Sequence, residues 1–265
     1  MPVLHRDGAD VFYDVCGEGP TVLFLHNILC NRHVFDGAID RLQGQFRCVR
    51  MDVRGHGDSA PPLRPYDVAD LVGDALAVLD AVAAPSAAIV GLSLGATVAM
   101  ELTLGHPGRA QRLVLMGGSV GVDPWITRLK NSALANLVRL VGPRRLLLSQ
   151  ATPLLFGTTF RRESPDQVKA WEDAMMRLSA LGLYSSVRVW SRRRSLQAAV
   201  AAIACPTLVV VGDEDVSCPP AFSEAIRAAI PGARLESIAR GGHALTVERP
   251  METADVLHRF LSLPS

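Results

Sequence analysis

Five short runs of this chain are apolar at nearly every position instead of at every second one: "TVLFLHN" (21–27), "FRCVRMD" (46–52), "AAIVGLS" (87–93), "RLVLMGG" (112–118) and "TLVVVGD" (207–213). A strand with one wet face alternates apolar and polar residues, so a nearly continuous run marks a strand covered on both faces. A parallel sheet with helices on either side meets that condition. "RLESIA" (234–239) is a weaker sixth candidate. Helical patterns separate the runs. Over 66–84, Val68, Leu71, Val72, Ala75, Leu79 and Val82 keep one face apolar. "GATVAMELTLGH" stops near Gly105 and Pro107, and "PPAFSEAIRAAI" and "PMETADVLHRFL" add two more helices. Strand alternating with helix implies right-handed crossovers and an α/β, doubly wound, mostly parallel sheet.

One stretch breaks this rhythm. Residues 121–204 hold no convincing strand, only helical segments such as "WITRLKNSALANLVRLV", "SPDQVKAWEDAMMRLSAL" and "SLQAAVAAI". The reading is an inserted all-helical cap (121–204) between a first core part (1–120) and a second (205–265). Ligands of open α/β sheets bind at the carboxyl ends of the strands, so a cap beside that edge would roof the site. Trp125, Trp171, Trp190 and Tyr184 in this segment read mostly as helix-packing residues.

The 265 residues suffice for one large α/β domain, or a domain with an insertion. A formal charge of +1 argues against a nucleic-acid or general membrane-surface role. No apolar run reaches the length of a spanning helix or of a signal peptide. Five cysteines, odd in number and never spaced CxxC, suit free thiols in a reducing cytoplasm. The charge is unevenly spread, however. Residues 121–200 carry thirteen Lys/Arg against five Asp/Glu, and the remainder fourteen against twenty-one. Either the segment has a solvated basic face that complements an acidic core, or it forms a cationic lid that steers an anionic substrate.

The chemistry centres on Gly91-Leu92-Ser93-Leu94-Gly95, a G-x-S-x-G run between the strand "AAIV" and the helix "ATVAMEL". Small flanking residues are what a serine on a cramped strand-to-helix turn requires; the plain alternative is a serine that caps the helix. A serine hydroxyl is a poor nucleophile at neutral pH and needs a base, which in turn needs an orienting carboxylate. After residue 106 only His243 and His258 offer imidazoles. His258 lies in an amphipathic helix, whereas His243 sits in a glycine-flanked loop, "ARGGHALTVERP". Asp213, Glu214 and Asp215 follow a buried strand, and Asp123 is a rival acid from elsewhere.

These motifs together resemble the α/β-hydrolase-fold serine hydrolases with a helical cap, of esterase and enol-lactonase type, over essentially the whole chain. "LFLHNILCNRHVFDGAIDRL" resembles their oxyanion loop, "MDVRGHGDSAPP" the loop after the next strand, and "IVGLSLGATVAM" their nucleophile elbow. "VVVGDEDVSCPP" resembles their acid loop, with the acid three residues after the glycine, and "GGHALTVERP" their histidine loop. The resemblance implies a triad of Ser93, Asp215 and His243, with the backbone N–H groups of Leu94 and Ile28 as oxyanion donors. It implies no metal and no organic cofactor, and a small-molecule ester or lactone as the partner. His26-Asn27 stands where the family usually has His-Gly. Asparagine tolerates left-handed geometry, so the loop is expected to keep its shape, and the added amide is a candidate substrate contact. His26 and His56 are expected to fix loops. C–C bond hydrolysis of a dienone and slow-turnover ligand reception use the same triad and stay open.

Overall fold

The computed structural model describes residues 2–263. Eight strands form one sheet: β1 (Val3–Arg6), β2 (Ala9–Cys16), β3 (Thr21–Leu25), β4 (Arg47–Met51), β5 (Ala87–Leu92), β6 (Ala110–Met116), β7 (Thr207–Gly212) and β8 (Arg234–Ile238). Their order is β1-β2-β4-β3-β5-β6-β7-β8. β1/β2 and β2/β4 are antiparallel and all other pairs are parallel. The doubly wound, mostly parallel sheet expected from the sequence is present, and the six apolar runs are its strands β3 to β8.

The first two strands escaped periodicity. They form a hairpin closed by Asp7-Gly8, both at positive φ (48° and 70°), the geometry of a two-residue turn whose twist matches the flanking strands. Continuous apolarity in the remaining strands has a direct cause. Leu23, Leu25, Ile89 and Leu113 face one side, packing with the helices Val68–Ala81 and Leu94–Gly105. Val22, Phe24, Val90 and Val114 face the other, against Asp36–Leu42 and Pro250–Leu261. Burying each such side chain contributes about 1.5–3 kcal/mol. The helix Val68–Ala81 begins where Asp67 accepts from the Ala69 and Asp70 N–H groups in a capping box.

Between β6 and β7 the described residues form no strand. Helices run Trp125–Val141, Arg145–Leu148, Thr152–Leu155, Thr158–Glu163, Pro165–Met175 and Ala180–Arg192. The last of these is docked on the core by a near contact of backbones: a Cβ on Gly55 would lie 2.7 Å from the Gly182 Cα. Around it the Tyr66 hydroxyl donates to the Gly182 carbonyl (3.0 Å) and the Ser179 N–H to the Gly55 carbonyl (3.1 Å). The helix Trp125–Val141 packs on Ala180–Arg192.

Candidate active site

Ser93 is at the carboxyl end of β5 with φ 56° and ψ −109°, a conformation that costs a β-carbon residue on the order of 1–3 kcal/mol. Its side chain caps nothing in the following helix. The turn is held by the Ser93 N–H donating to the Met116 carbonyl at 2.8 Å. Both flanking glycines are forced by space: a Cβ on Gly91 would sit 2.3 Å from the Gly95 carbonyl oxygen, and one on Gly95 2.0 Å from that of Leu25.

His243 Nδ1 lies 2.9 Å from Asp215 Oδ2. The other carboxylate oxygen accepts from the N–H groups of Ser217 (2.9 Å) and Cys218 (2.8 Å), which fixes the acid's orientation. An ionised carboxylate only accepts, so Nδ1 carries the proton and Nε2 of the neutral ring is the free base. All three side chains are buried, and Ser93 and His243 line one cavity. Burial draws the His243 pKa down, but the charge and hydrogen bond of Asp215, with the charge of Glu248, outweigh it and hold the pKa above its ordinary value.

The rival acids are engaged elsewhere. Glu214 accepts from the Thr159 N–H (2.7 Å) and hydroxyl (2.5 Å), and Asp213 from the Arg240 N–H (2.6 Å). Asp123 reaches the cavity wall but is bound to Trp190 Nε1 (2.8 Å) and Arg193 (2.9 Å). His258 contacts Gln45 at the surface.

Ile28 lines the cavity, and the N–H groups of Leu94 and Ile28 donate to no other backbone group among the described residues. Asn27 is not in the left-handed region; Leu29 is, at φ 71°. Just before it, His26 Nδ1 donates to the Asn27 carbonyl (2.7 Å) while Nε2 accepts from the Val53 N–H (2.9 Å). Asn27 is buried with neither amide atom hydrogen bonded, and it is not part of the cavity wall. His26 and His56 behave as loop-fixing groups. Burial lowers both pKa values, that of His56 to about 3 with the help of neighbouring His26.

Sequence reasoning missed two residues. A Cβ on Gly117 (φ 52°) would lie 3.0 Å from His243 Nδ1 and 3.2 Å from Asp215 Oδ2, so this glycine makes room for the pair. Glu248 is buried under the histidine loop, accepting from the Gly242 and Gly157 N–H groups at 2.9 Å each. Burial raises its pKa to about 7 against the opposing pull of those two N–H groups. The double glycine after β6 was the available signal for the first; a glutamate before Arg249-Pro250 gave none for the second.

The cavity holds about 380 Å³ and is mostly apolar, with Leu134, Ala135, Val138, Leu148, Leu155 and Leu183 contributed by the helical segment. Trp190 also lines it, in contrast to its expected packing role, while Trp125 is 72% exposed. No Lys or Arg lines it. Arg193 and Arg194 are paired with Asp123 and Glu101, Arg145 with Asp173, and Arg139 stacks on Tyr184. These four basic residues are thus paired or stacked, and none of them lines the cavity.

Comparison with known proteins agrees with this fold. A family profile described as "Alpha/beta hydrolase family" matches residues 22–256. The chain is similar to a putative carbamate hydrolase, RutD, of Klebsiella pneumoniae, 31% identical over 78% of this chain and 77% of that protein. Among solved structures it is similar to a hydrolase from Pseudomonas aeruginosa (30% identity, 99% of this chain and 98% of that one, TM-score 0.89). It is also similar to the enol-lactonase from Burkholderia xenovorans, at 24% identity over 99% and 100% of the two chains with TM-score 0.92, a likeness of fold.

Proposed function

The chain belongs to the alpha/beta hydrolase family, and on that premise we propose that it hydrolyses a carboxylic ester or lactone through an acyl-enzyme on Ser93. The observation that carries this reading is the buried His243–Asp215 pair sharing a cavity with a serine held at positive φ. Ser93 Oγ attacks the acyl carbonyl as His243 Nε2 takes the hydroxyl proton, and Asp215 stabilises the imidazolium. The tetrahedral oxyanion is met by the N–H groups of Leu94 and Ile28, each such donor being worth on the order of 3 kcal/mol. The alkoxide leaves with the proton returned by His243. Water then adds to the acyl-enzyme by the same route, releasing the acid and restoring Ser93.

The helical segment 121–204 serves as the cap that walls this cavity, and its apolar lining favours a neutral substrate with an apolar acyl part. The five free thiols suit a reducing cytoplasm. The test is the rate on p-nitrophenyl acetate and butyrate for the native chain and Ser93→Ala, with organophosphonate labelling read by mass spectrometry. Loss of about three orders of magnitude or more in the variant is expected, with the label on Ser93. Activity that survives the substitution, or a label elsewhere, overturns the reading.

A further inference from the structure

The helix Trp125–Val141 turns an apolar face to solvent. Trp125 is 72% exposed, Leu129 62%, and Leu140 82%, and Leu146 just beyond the helix is 79% exposed. Ile126 and Leu137 are exposed as well. At 100° per residue, Trp125, Ile126, Leu129, Leu137 and Leu140 fall within an arc of about 120°. Ala133 lies in the same arc and Asn136 is its one polar residue, so these side chains form a stripe rather than a scatter of single surface apolar residues. Lys130 borders it on one side and Arg139 on the other, and Arg144 is exposed just past the helix end. Along the chain the charge is all of one sign, seven Lys/Arg and no Asp or Glu from Pro124 to Arg162, although Arg145 is paired with Asp173 and Glu172 of a neighbouring helix.

We propose that this face seats on an anionic lipid surface, the leucines and Trp125 entering the headgroup–acyl boundary while Lys130, Arg139 and Arg144 meet the lipid phosphates. An exposed apolar helix face with cations at its margins is the physical requirement for lying in a membrane interface. The overall charge of +1, which argued against such a role, conceals a local excess of cations. A second copy of the chain is a poorer occupant, because a two-fold contact would bring Lys130 and Arg139, at the margins of the stripe, towards their own images, cation facing cation. The face is also continuous with the reaction cavity. Leu134 and Leu154 line the cavity and are themselves exposed, so an apolar chain passes from the lipid phase to the cavity along apolar surface.

The proposal is read out by binding alone, so it stands or falls separately from the hydrolase reading. The full chain is floated with vesicles of phosphatidylcholine and with vesicles in which about 30% of the lipid is phosphatidylglycerol. Binding to the anionic vesicles, a blue shift of Trp125 fluorescence that disappears in Trp125→Phe, and release between about 0.05 M and about 0.5 M salt are expected. The Leu129→Gln/Leu140→Gln double variant should bind roughly tenfold more weakly or worse, while its turnover of a water-soluble ester stays native. Equal binding to both vesicle types, or binding untouched by the double substitution, overturns the proposal. So does a concentration-dependent dimer that the double variant abolishes.

Discussion

His243 is a buried imidazole whose pKa stands above its ordinary value although burial works against it, because Asp215 faces it with a charge and a hydrogen bond. The base must be neutral to accept the serine proton. A raised pKa therefore moves the onset of activity towards higher pH: kcat/KM on a neutral ester should rise through one ionisation above about 6.5. In Asp215→Asn that inflection should move to lower pH and kcat fall by about 10³–10⁴. An unmoved inflection would separate Asp215 from the titration. At this scale the sequence was legible where cause and effect are neighbours. Ser93 could be read because Gly91 and Gly95, which its turn requires, stand beside it. Gly117 could not, because its missing Cβ answers to Asp215 and His243, far along the chain. Leu29 could not be read as the loop's left-handed position either, since a leucine carries no signal for it.

Elements were legible where burial is two-sided and obscure where it is not. Strands β3 to β7 announce themselves by apolar composition, whereas β8 is only partly buried and β2 carries Asp10 and Asp14 and meets water on one face. Its hairpin partner is signalled only by the Asp7-Gly8 turn. How the middle of the helical segment is tied down was equally hidden, because that tie is made by two carboxylates far along the chain. Glu214 holds Thr159 and Glu248 holds Gly157, while the Ala244 N–H donates to the Leu155 carbonyl (2.9 Å), so the segment is bound to the same loops that carry Asp215 and His243. The folded-state pKa of Glu248, about 7, lies above its ordinary 4.5. Its contribution to stability is therefore fully present below about 4.5 and is lost as pH rises through about 7. Glu248→Gln keeps the acceptor for both N–H groups and removes the titration. Denaturant unfolding should show the native chain losing ground to this variant by a few kcal/mol between those limits. Parallel stability curves across that range would mean that Glu248 does not titrate there.

At the scale of the whole molecule the charges separate into a basic helical segment and an acidic remainder, yet the cavity between them holds no cation. A field of that kind speeds the approach of an anion without holding it, and salt screens it. A neutral ester should therefore outrun its carboxylated isostere in kcat/KM by about tenfold or more at high salt, with a narrower gap at low salt. Preference for the carboxylated ester at low salt, fading as salt rises, would restore the cationic lid. One consequence concerns how this protein would come out of solution. The sheet's outer strands are short and charged, β1 with His5 and Arg6 and β8 with Arg234 and Glu236. Such edges give a neighbouring chain little backbone to pair with, so cross-β templating is discouraged at both ends. The adhesive surface is the bare stripe on Trp125–Val141. Crowded copies are therefore given no strand edge through which to exchange partners, and the cations bordering the stripe oppose their meeting helix face to helix face.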